Sequence, residues 1–173
     1  MHPWMIHPAL VHFPIAFLTA AVAVDFWSWL RDPAAGARSA TNLLVAGVVT
    51  GLITALAGLA AFFTVPAHTR EAHELMYWHG GVNVIAMTIF AVLAVMRWRT
   101  PAVPSPGIRI FGAVALALVL FGGYLGGEIV YKGGAGVDPK ILDPEVRHHT
   151  HTREHVPESE PAPTVPGPVE RGT

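Results

Sequence analysis

The chain has 173 residues, of which 52% are hydrophobic and only 13% charged, with a formal net charge of −1 and no cysteine. Soluble domains carry about a quarter charged residues, so the deficit points to lipid as the surrounding solvent. The near-zero charge gives no broad attraction to nucleic acid, and the missing thiols exclude disulfides, thiolate metal sites and covalently attached c-type haem.

Four apolar segments follow in chain order. The first spans Phe13 to Leu30, or begins at Pro8 if the motif before it is helical. The others are Leu43–Val65, Leu75–Met96 and Ile110–Tyr131, the last interrupted only by Glu128. A hydrocarbon core of about 30 Å takes about 20 helical residues, and all four segments meet or approach that length. Strands are excluded by the length of the runs and by the lack of the alternation a membrane barrel needs. Ala21-Val22-Ala23 resembles a signal-peptide cleavage site, but no Lys or Arg precedes it and apolar residues continue beyond it. The first segment is therefore read as a retained span.

The connections Arg31–Thr41, Pro66–Glu74 and Arg97–Arg109 are short. Tight loops favour antiparallel neighbours, so the expected fold class is all-α, an integral membrane up-down four-helix bundle. Residues 1–135 form the transmembrane domain, and 136–173 form a Pro- and His-rich tail. GGAGVDP breaks the last helix, and the tail is expected to be disordered beyond about residue 145.

Alternate threading gathers Arg31, Arg38, Arg97, Arg99 and Arg109 at one end, against Arg70 and Lys132 at the other. The positive-inside rule puts the five arginines in the cytoplasm, giving a multi-pass protein of the bacterial inner membrane with both termini outside. Trp27, Trp29 and Trp98 mark the inner interface, and Trp4, Tyr77, Trp78 and Tyr131 the outer one. Gly47/Gly51, Gly122/Gly126 and Gly123/Gly127 are spaced for close helix approach, and packing alone accounts for them.

The same threading places every histidine at the outer end. His12 and His79 each lie about one turn inside their helices, so their depths should match. Two imidazoles at one depth on different helices suit the axial ligation of a single haem b iron. Asn83, one turn below His79, is expected to orient that imidazole or line the pocket. Glu128 is an ionisable group in an apolar helix and a candidate acceptor for a ligand's second nitrogen. His7 is a third ligand candidate. It also reads as a cap with Pro8 at the first helical position, or as part of a surface segment if Pro14 starts the helix. A structural polar network of His12, His79 and Glu128 accounts equally for the pattern. Asp25, the other acid within a span, is expected to pair with a nearby arginine or to snorkel, and His68 and His73 to be solvated loop residues.

The tail histidines His148, His149, His151 and His155 form a short tract able to bind a divalent metal through neutral imidazole, either adventitiously or at a dedicated site. No Ser-His-Asp arrangement, phosphate loop or paired-carboxylate pattern supports a hydrolase or nucleotide-dependent enzyme.

Three of these stretches resemble a known family. HPALVHFPIAF at the start, His79 with Asn83, and GGYLGGEIVYKGGAGV at the end are similar to the bacterial predicted membrane proteins called domain of unknown function 2231, over about residues 6–137. The resemblance implies a four-helix membrane domain without an established activity. That family is in turn distantly similar to the di-haem membrane cytochrome b superfamily, whose members move electrons through histidine-ligated haem. Carried onto this chain, the similarity implies His12 and His79 as ligands, with His7 third. A di-haem protein needs ligands at two depths, and no histidine lies at the arginine end, so one outer haem is the expectation. Redox or membrane-protein partners accompany that role. The rival readings are a non-enzymatic structural or partner-binding membrane subunit, and metal handling through the tail.

Overall fold

The computed structural model describes residues 3–65, 70–99 and 103–137. A single 3-10 turn, Pro3–Met5, leads into α1 (Ile6–Leu10), α2 (His12–Arg31), α3 (Pro33–Thr64), α4 (Arg70–Arg99) and α5 (Pro106–Tyr131). Four helical stretches are long and apolar enough to cross a membrane: Ile6–Arg31, which joins α1 and α2, then α3, α4 and α5. Among the described residues there is no strand.

Proline chemistry breaks the first span at Val11. Pro14 has no N–H to donate to the carbonyl of Leu10, four residues back, and its ring crowds the preceding turn. The freed carbonyl is met from α3 by the Thr54 hydroxyl at 3.4 Å, which lies 2.8 Å from the carbonyl of Thr50 in its own helix. In lipid a released carbonyl has no water to turn to, so a neighbouring hydroxyl is the available remedy.

The turn between α2 and α3 is one residue long. Asp32 is extended, its carboxylate accepts from the N–H groups of Ala34 and Ala35, and Pro33 opens the helix. The expected loop Arg31–Thr41 is therefore corrected: α3 begins ten residues before Leu43. Hydropathy concealed this because Arg38, Ser39 and Thr41 dilute the apolar signal, while an Asp-Pro start followed by alanines is a strong helix nucleus. At 1.5 Å per residue α3 is about 48 Å long, more than the hydrocarbon core, so its first turns reach the interface or the helix tilts. Ser105 caps α5 in the same manner, accepting from the N–H of Ile108 ahead of Pro106.

α2 packs chiefly on α3, and α4 chiefly on α5, so the bundle is two antiparallel hairpins that meet over a smaller interface. The core between them is Leu18, Ala21, Leu44, Ala86, Phe90, Ala94, Ala115 and Val119, with Leu18 and Phe90 fully enclosed. Gly47 accommodates Leu18 and Gly51 accommodates Met87; a Cβ at either position would overlap those side chains. Outward lie Leu56, Phe63, Trp78, Val84 and Tyr131, large apolar groups that lipid covers in a membrane.

Candidate imidazole site

Two polar layers interrupt the apolar core, one near each end of the bundle. At the arginine end, Arg97 of α4 forms a two-point ion pair with Asp25 of α2; both residues are buried, at 5% and 7% exposure. Arg97 Nε also donates to the Thr41 hydroxyl at 3.1 Å, and Nη2 to the carbonyl of Ala37 at 3.1 Å. The expected pairing of Asp25 with an arginine thus falls on a residue 72 positions away, across the hairpin interface.

At the other end, His7 of α1 and His79 of α4 lie with ring centres 6.1 Å apart and planes at 90°. Each ring is seated in the same way. His7 Nδ1 is 3.0 Å from the carbonyl oxygen of Thr54 on α3, and its Nδ1–Cε1 edge fills the space where a Cβ of Gly58 would stand. His79 Nδ1 is 2.8 Å from the carbonyl oxygen of Gly122 on α5, and the same edge faces Gly126. Both seats use the carbonyl of residue i and a glycine at i+4. A helical carbonyl points along the axis toward residue i+4, so removing that side chain opens the carbonyl to a partner from outside the helix. A carbonyl only accepts, so the proton in each contact sits on Nδ1. In the neutral form each ring then keeps its lone pair on Nε2.

Asn83 of α4 donates through Nδ2 to the carbonyl of His79 at 2.8 Å, and that amide also lies 3.5 Å from His79 Nδ1. Gly122 leaves room for the Asn83 amide, since any Cβ there would collide with it. Asn83 therefore wedges between α4 and α5 directly beside the ring.

The expected partnership of His12 with His79 is corrected in its geometry. His7 is the imidazole that meets His79, and His12 is exposed on α2. Five residues turn a helix through about 500°, so His7 and His12 point about 140° apart and only one of them faces the bundle. Glu128 is likewise displaced from its expected role. Its carboxylate pairs with Lys132, one turn on, and His79 Nδ1 has the Gly122 carbonyl instead. The hydrogen bond to that carboxylate, and then its charge, hold the Lys132 ammonium above its ordinary pKa. His73 is exposed at the start of α4. His68 and the four tail histidines, His148, His149, His151 and His155, lie outside the described residues. No group of three or more His, Asp or Glu side chains placed to hold a metal ion occurs among the described residues.

No local sequence pattern singles out Thr54, Gly58 or the seating carbonyls. Thr54 lies 47 positions from His7, and nothing local announces that contact. Only the helical phase between His7 and His12 was available as a signal.

A four-helix membrane bundle with one buried ion-pair layer and one imidazole layer is the class of protein that this geometry defines. The chain belongs to the family described as Predicted membrane protein (DUF2231), whose model matches residues 2–139. No curated protein and no solved structure matches the chain.

Proposed function

We propose that His7 and His79 hold the iron of one b-type haem near the histidine end of the bundle, making the protein a membrane electron-transfer component. The observation that carries this reading is the paired seating. Two rings from different hairpins lie 6.1 Å apart, each with Nδ1 engaged by a backbone carbonyl. Metal–imidazole bonds of about 2.0–2.1 Å put two rings that share one ion at about this spacing. A ligating histidine characteristically donates its other N–H to a carbonyl or carboxylate, which fixes the tautomer and ring angle. The ring spacing and the Nδ1 contacts are what support the reading. When bound, haem iron supplies one-electron transfer. The chain's own contributions are Nε2 ligation by His7 and His79, ring orientation by the Thr54 and Gly122 carbonyls, and bracing of α4 by Asn83. The positive-inside rule places this end at the outer face of a bacterial inner membrane.

The test is an absorption spectrum of protein purified in detergent after expression with ample haem, before and after dithionite. A Soret band is expected in the wild type and in His12→Ala, and its loss in His7→Ala and His79→Ala. A wild type without the band, or a band that survives loss of both rings, overturns the reading.

A second reading is favoured by the glycine seats. Gly58 and Gly126 fit the imidazoles closely enough for the rings to serve as interhelical ties in a structural or partner-binding membrane subunit. Under it, the same substitutions lower thermal stability and change no spectral property.

A further inference from the structure

We propose that Arg109 is the anchor of a phosphate-binding site at the arginine end of the bundle, supplied by the headgroup of an anionic lipid. Arg109 stands in the first turns of α5, just after the Ser105 cap, and is only 3% exposed. Its Nε and Nη2 are buried and have no hydrogen-bond partner. These two donors form one edge of the guanidinium, the fork that engages two oxygens of a carboxylate or phosphate side by side. Arginine stays charged at every accessible pH, so the group cannot relieve its burial by losing a proton. A buried, charged fork with both prongs empty is a costly arrangement that calls for an anion.

The surroundings decide which anion. Both acids at this end are engaged: Asp25 by Arg97, and Asp32 as the cap of α3. The remaining charged side chains at this end are cationic, with Arg31, Arg38 and Arg99 exposed. Trp27, Trp29 and Trp98 are exposed around the same level, and such a belt marks headgroup depth. A bilayer presents phosphate at that depth. The Trp29 ring lies over the Arg109 guanidinium at 5.4 Å and is itself 47% exposed, so it is the cover that moves as a phosphate reaches the fork. The N-terminus of α5 adds its own partial positive charge beside the site.

The experiment uses the full chain, stripped of lipid in a phosphate-free maltoside detergent, and follows thermal unfolding while phosphatidylglycerol or inorganic phosphate is titrated in. Phosphatidylglycerol is expected to stabilise the wild type and Arg99→Gln alike, with about tenfold weaker half-saturation for Arg109→Gln, as loss of one charged hydrogen-bonding group predicts. Stabilisation by phosphatidylglycerol alone assigns the site to a lipid headgroup; equal stabilisation by inorganic phosphate supports the phosphate site and overturns the lipid as its source. If Arg109→Gln does not fold, Arg109→Lys keeps the charge and loses the fork, and a similar weakening is expected. No stabilisation by either ligand, or equal half-saturation for wild type and Arg109→Lys, overturns the proposal.

Discussion

The two polar layers bridge the same pair of hairpins with opposite chemistry. At the arginine end, Arg97 spends its donors on Asp25, Thr41 and the Ala37 carbonyl, and its charge is matched by the carboxylate it touches. At the histidine end, each imidazole uses one nitrogen on a backbone carbonyl, and the described hydrogen bonds leave both Nε2 atoms uncommitted. A saturated cluster ties helices together and has nothing left to offer. A half-saturated pair, held in register by its own scaffold, keeps one ring nitrogen apiece outside those contacts. The difference teaches where to look for function in an apolar bundle: at the layer whose polar groups are positioned but not consumed.

The largest expected effect breaks the saturated layer. Arg97→Ala leaves the Asp25 carboxylate buried without its partner, a loss of about 3–5 kcal/mol. Replacing both residues by apolar ones, Asp25→Leu with Arg97→Met, should recover most of that loss. Thermal unfolding in detergent reads both variants, and a double variant as unstable as the single one would contradict the account of that layer.

The imidazole seats come next. Gly122→Ala drives a Cβ into the Asn83 amide, and Gly58→Ala drives one into the His7 ring. Overpacking of this kind costs about 1–3 kcal/mol. Both variants should also disturb whatever spectral property the His7–His79 pair confers, whereas Gly123→Ala, where a Cβ meets open space, should alter neither stability nor spectrum.

Smaller still is Thr54→Val. It removes the hydroxyl that faces the Leu10 carbonyl and leaves the Thr54 carbonyl available to His7. Polar side-chain bonds between membrane helices are worth about 0.6 kcal/mol on average, so a loss of that order is expected. The smallest effect sharpens the assignment of the ring pair. His12→Ala on the exposed face should stay within about 0.5 kcal/mol of wild type, as surface substitutions do.

Much of the fold was legible because lipid imposes a simple rule: a spanning helix must be long and apolar, and all four are. The sequence signal failed where that rule does not apply. In the first ten residues of α3, helix formation depends on the Asp32 cap and on alanine propensity rather than on hydropathy. At the candidate site, residue types were readable, and the one-turn spacing of His79 and Asn83 is the spacing at which the two side chains touch. The partner was not, because His7 and His12 have similar depths and differ mainly in helical phase, which the Pro14 break makes hard to carry through. The seating carbonyls of Thr54 and Gly122 are backbone atoms, invisible to any reading of side-chain types.

The turn at Asp32 has a consequence for how the chain enters a membrane. One residue joins a helix of 20 residues to one of 32, leaving no slack for the two to part. Such a pair must cross the bilayer as a hairpin, and its cap, Asp32, is shared property of both arms. A flexible tag spliced between Arg31 and Pro33 would unfasten the cap and slide Asp25 out of reach of Arg97. Added length at this one-residue connection is therefore expected to disturb both the cap and the ion pair.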